Sequence, residues 1–113
     1  MNTYMLLLVS DYKPNDDLSA EEKGKMMNKY LEWLNELKNK GIVKDGRPLA
    51  SEGRVIKKET GLISDGPFSE TKEIVGGYYL IEAPTLEEAS AIAKTCPHIE
   101  MGGSIQVRPV MDI

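Results

Sequence analysis

The chain has 113 residues, 41% of them hydrophobic, with 18 acidic and 14 basic side chains and a formal net charge of −4. That length supports one domain with its own core, read over residues 1–113 as a single unit. Acidic and basic residues are interspersed, which argues against nucleic acid or an anionic membrane as a partner, because either needs a clustered basic face.

Residues 3–9, TYMLLLV, are apolar throughout and end at Ser10-Asp11. They read as a central strand buried on both faces. The run 5–9 is too short for a membrane span, and no basic segment precedes it as in a signal peptide. Residues 12–17 read as loop. Ser19-Ala-Glu-Glu22 has the form of a capping box, in which the serine hydroxyl takes the amide proton three residues on and Glu22 reaches back. The helix it opens is expected to run to about Lys40, with Met26, Met27, Tyr30, Leu31, Leu34 and Leu37 as its apolar stripe, Trp33 near the edge of that stripe, and Gly41 as its end.

Residues 42–53 read as loop, with Asp45-Gly46 as a turn. RVIKKE at 54–59 alternates as a strand, Thr60-Gly61 turns it, and 62–64 return as its hairpin partner. A strand follows at 77–83 and stops at Pro84. Thr85-Leu-Glu-Glu88 forms a second capping box, and Leu86, Ala89, Ile92 and Ala93 give its helix an apolar side up to Pro97. The last strand is 104–110. The predicted order is β-α-β-β-β-α-β, an α+β, ferredoxin-like βαββ(β)αβ arrangement with an antiparallel sheet and both helices on one face, as right-handed crossovers require. The single cysteine, Cys96, excludes an internal disulfide and fits a reducing compartment, so the expected localisation is cytoplasmic.

In the first strand Tyr4, Leu6 and Leu8 face one way and Met5, Leu7 and Val9 the other. Helices on one side leave the second apolar face bare, and a second copy of the same sheet in a homodimer is the expected cover. Tyr78 and Tyr79 point to opposite faces, one toward the helices and one toward the dimer interior.

The segment SDGPFSETKE at 64–73 carries more chemistry than a turn needs. Gly66 and Pro67 make a stiff corner. Phe68, the only phenylalanine, plugs the core beneath it or walls a pocket. Asp65 either accepts hydrogen bonds from its own turn or is a general base held in one orientation at a strand end. Glu70, Lys72 and Glu73 form a solvated charge run, hold the loop down by ion pairs, or bind an anionic ligand. Arg54 and Arg108 would each need a carboxylate partner inside a barrel, with Asp65 or Glu73 available. Gly76-Gly77 leads into a strand rather than a helix and is no phosphate cradle. Cys96 and His98, two apart around Pro97, are poorly placed to meet as nucleophile and base. No metal site is expected, since one cysteine and one histidine cannot build zinc coordination and the acidic residues form no calcium loop.

The run Asp65-Gly66-Pro67-Phe68, Glu70-Thr71-Lys72-Glu73, Gly76-Gly77-Tyr78-Tyr79, with the ending Gly103-Ser104-Ile105-Gln106-Val107-Arg108-Pro109-Val110, resembles the DGPF branch of the YCII-related family. The opening TYMLLLV and the pair Leu49-Ala50 fit the same pattern, so the resemblance spans nearly the whole chain. It implies a dimeric α+β barrel and, for function, cofactor-free acid–base or dehydrochlorinase-type chemistry using a His–Asp pair. This chain departs from that pattern: its only histidine, His98, lies past the second helix rather than at the first strand. Two readings follow. One is a dimeric module that binds a small molecule or a protein partner near the DGPF loop. The other is a cofactor-free isomerase, lyase or dehydrochlorinase with Asp65 as base. The ligand-binding candidates are Arg54, Phe68, Glu70, Lys72, Glu73, Tyr78 and Arg108.

Overall fold

The computed structural model describes residues 1–11, 19–50, 52–56, 58, 63–65 and 73–112, with the backbone alone at 63–65. Its elements are β1 (Asn2–Asp11), α1 (Ala20–Asn39), β2 (Val43–Pro48), β3 (Arg54–Ile56), β4 (Ile63–Asp65), β5 (Glu73–Ala83), α2 (Leu86–Lys94), α3 (Pro97–Glu100) and β6 (Ser104–Pro109). Four strands form an antiparallel sheet in the order β2-β5-β1-β6, and β3 pairs only with β4 in a separate ribbon. The fold is the expected α+β class, with both helices against one face of the sheet.

Local chemistry sets the helix ends. The Ser19 hydroxyl accepts the Glu22 amide proton at 3.1 Å and donates to the Glu22 carboxylate at 3.3 Å. Thr85 caps α2 by accepting from the Glu88 amide at 3.2 Å. Gly41, at φ 72°, closes α1, and the Ile42 amide returns to the Leu37 carbonyl at 2.9 Å.

The sheet corrects the sequence reading of residues 42–53 as loop. Val43–Pro48 is an edge strand, paired with β5 from Val43↔Ile81 to Pro48↔Gly77, with a bulge at Lys44. The strand read at 77–83 starts four residues earlier, at Glu73. The hairpin expected from 54–64 is present as the short β3–β4 ribbon, and its turn lies outside the described residues.

The core lies between the helices and the even positions of β1. Leu6 and Ile81 are completely buried, joined by Tyr4, Leu8, Ala83, Trp33, Leu37, Ala89, Ala93 and Cys96. Ala89 and Ala93 present only methyl groups, so α2 can lie close to the sheet. Trp33 is central rather than at the margin of the α1 stripe. Its ring meets Tyr79 edge to face, with centroids 5.2 Å apart. Met27 and Leu31, counted in the stripe by spacing, are instead exposed on its flank. The opposite sheet face carries Met5, Leu7, Tyr78 and Leu80, which the register sets side by side as Met5↔Leu80 and Leu7↔Tyr78. Among the described residues no helix is long and apolar enough to cross a membrane.

Candidate functional site

A cavity of about 320 Å³ opens between α1 and the β2–β5 side of the sheet. The helix contributes Met27, Tyr30, Leu31 and Leu34, whose three-and-four spacing sets them on one side. The sheet contributes Leu8, Gly46, Pro48, Gly77 and Tyr79. Gly46 is needed here because a Cβ at that position would run into the Tyr79 ring. At Gly77 an added Cβ would sit 3.1 Å from the Arg47 carbonyl, so the two strands approach closely at the cavity floor. The walls are almost entirely apolar.

One polar pair breaks that wall. His98, on the single turn α3, reaches across to β1, where its Nε2 lies 2.8 Å from the Val9 carbonyl oxygen. A carbonyl only accepts, so Nε2 carries the proton and donates. In the neutral ring Nδ1 is then a bare acceptor, and it takes the Tyr30 hydroxyl proton at 3.3 Å. Burial, with smaller contributions from Cys96 and Tyr79, pushes the Tyr30 phenol up to about 12, so the hydroxyl keeps its proton throughout the physiological range. Gly103 lies against the imidazole, and any side chain there would collide with it.

Cys96 is fully buried, and burial raises its thiol above the ordinary value, as suits a packed core residue rather than a nucleophile. The two ring nitrogens of His98 are taken up by the Tyr30 hydroxyl and the Val9 carbonyl.

The residues singled out from the sequence scatter. Phe68, Glu70 and Lys72 lie outside the described residues. Asp65 ends β4, directly opposite Arg54 in the ribbon. Glu73 begins β5 and is exposed, across from Asp11. Arg108 is exposed on β6, opposite Met5 on the helix-free face. Tyr78 is among the residues around the cavity, although its register with Leu7 directs its side chain to the opposite face. The structure therefore groups Tyr78 and Arg108 on one sheet face and Asp65 with Arg54 in the ribbon. Tyr30 and His98 were missed as a site. Tyr30 carried the spacing of a core residue, and His98 stands 68 positions away in a segment without periodicity.

A four-stranded antiparallel sheet with its helices on one side defines a ferredoxin-like α+β fold. The YCII-related domain model matches residues 4–113, and the chain belongs to that family. It is 42% identical over 50 residues to an uncharacterized protein of Rhizobium meliloti (strain 1021), a match covering 43% of this chain and 40% of that protein. Among solved structures it resembles 5-chloro-2-hydroxyhydroquinone dehydrochlorinase from Burkholderia phenoliruptrix in complex with 2,5-dihydroxybenzoquinone, with a TM-score of 0.59 over 98% of this chain and 95% of that one. At 14% identity this likeness speaks for the fold alone.

Proposed function

We propose that the protein is a YCII-related homodimer of the DGPF branch that binds a small, flat, largely apolar molecule in the cavity between α1 and the sheet. The observation that carries this reading is a cavity of about 320 Å³ with apolar walls and one ordered polar pair, the usual make-up of a small-molecule site. Gly76 and Gly77, which follow the DGPF loop in the chain, line it. A buried free thiol agrees with a cytoplasmic setting. Leu31 borders the cavity yet is 47% exposed, so it can be enlarged without entering the core. Leu31→Trp should fill the space and weaken any aromatic ligand found by thermal-shift screening at least about tenfold, while stability changes by less than about 1 kcal/mol. Unchanged affinity would place the ligand elsewhere.

A second reading is cofactor-free acid–base catalysis, favoured by the fold likeness to a dehydrochlorinase. Asp65 is its base. Its backbone ends β4 in register with Arg54 of β3. Asp65→Asn keeps shape and removes charge, and a turn tolerates asparagine well. In an assay on hydroxylated chloroaromatics, the variant should lose more than about a hundredfold in turnover, nearly 3 kcal/mol, with stability within about 1 kcal/mol of wild type. A variant that loses several kcal/mol of stability with turnover intact would make Asp65 a structural hinge.

A further inference from the structure

We infer that Tyr79 is the hydrogen-bond donor of the cavity, its phenol hydroxyl holding a carbonyl oxygen of the bound ligand. The inference rests on the binding reading above and names the group that meets the ligand's polar end. Tyr79 pairs in register with the completely buried Leu6, so its ring lies on the helix side of the sheet, where it lines the cavity. The ring is fixed on two sides. Trp33 meets it edge to face at 5.2 Å, and Gly46 lies against it where a Cβ would collide. The hydroxyl has no hydrogen-bond partner among the described residues. None of their buried side-chain oxygens and nitrogens lacks a partner, so this hydroxyl is open to the space it borders. Burial, with a smaller contribution from Cys96, raises the phenol above its ordinary pKa, so the proton is present throughout the neutral range.

The other polar side chains on this wall have their protons committed. The Tyr30 hydroxyl donates to His98 Nδ1, and His98 Nε2 donates to the Val9 carbonyl. Arg47 also borders the cavity, but its register with Tyr78, against that of Gly46 with Tyr79, directs its side chain to the helix-free face. A ligand carbonyl entering the cavity leaves its hydrogen bonds to water behind, and an acceptor buried without a donor is costly. Tyr79 supplies that donor without breaking a bond within the protein. Tyr79→Phe therefore keeps the ring against Trp33 and orphans no protein group, whereas Tyr30→Phe takes the donor away from His98.

Acetophenone and ethylbenzene are similar in size and differ at the carbonyl. Both are titrated into the full chain near neutral pH and followed by NMR shifts, and the carbonyl stretch of the bound ketone is read by infrared spectroscopy. Tyr79→Phe should weaken acetophenone about fivefold or more and leave ethylbenzene within about twofold. The stretch should lie below its hydrocarbon-solvent position in the wild type and return to that position in Tyr79→Phe. Should the variant melt early, the wild-type stretch decides alone. Unchanged acetophenone affinity, equal losses for both probes, or a wild-type stretch at the hydrocarbon position overturns the inference. The cavity reading then still stands if Leu31→Trp weakens ethylbenzene. If neither probe binds at millimolar concentration, the cavity reading fails and the inference with it.

Discussion

Leu7→Asp is expected to convert a particle of 25.2 kDa, twice the 12.6 kDa chain, into a monomer or an unfolded chain. Leu7 sits on the helix-free face of β1, between Tyr78 of β5 and Gln106 of β6, with Met5 and Leu80 one step along the same face. At roughly 25 cal/mol per Å² of apolar surface, a few hundred Å² left in water on this face costs several kcal/mol, and a second sheet laid against it removes that cost. A carboxylate at its centre would be desolvated without a partner, which no dimer of this size tolerates. Light scattering at micromolar concentration decides the matter. A wild-type mass of 12.6 kDa would remove the dimer from the proposal. A Leu7→Asp protein that remains folded at the doubled mass would move the interface to another surface.

Trp33→Ala should be the most damaging core substitution, costing about 3–5 kcal/mol and lowering Tm by about 10 °C or more. The indole is 8% exposed and stands where α1, α2 and the sheet meet. Its ring packs edge to face on Tyr79, and its Nε1 donates to the Thr95 hydroxyl at 2.7 Å. Thr95 passes its own proton to the Ile92 carbonyl, also at 2.7 Å, so the indole is tied to the last turn of α2. Trp33→Phe keeps most of the packing and loses only the polar link, so about 1–2 kcal/mol is expected. Chemical denaturation of the two variants separates the ring from the hydrogen bond. Equal losses for both would mean the link to Thr95 dominates.

The helices were legible because their signals are local. Ser19 with Glu22, and Thr85 with Glu88, satisfy amides three residues away, and such chemistry needs no tertiary context. β1 was legible from an unbroken apolar run. β2 was not, because VKDGRP shows no alternation of apolar and polar side chains. Its inward positions are Val43, Gly46 and Pro48, and Gly46 is dictated by a Tyr79 ring that no local pattern announces. The same limit hid Trp33: an ideal helical stripe ranked it behind Met27 and Leu31, but α1 turns its Trp33 side to the sheet because Tyr79 and Thr95 are there to receive it. The site followed suit. Asp65 and Arg54 belong to a hairpin whose backbone register sets them opposite each other, whereas Tyr30 and His98 meet only through the packing of α3 against β1.

The bulged edge strand β2 has a further consequence, for self-association. An open sheet offers its outer strands to any extended chain, and regular edges seed fibrils. Here Lys44 interrupts the ladder on the β2 side with a bulge and a positive charge, and Pro48 removes a donor from the same strand. The other margin, β6, ends at Pro109 opposite Tyr4. With proline at both margins and a bulge on one, the sheet is poorly suited to lengthen sideways. In the proposed dimer, copies of this chain would then meet broadside, one sheet flat upon another, and association would stop at a closed pair instead of growing without end.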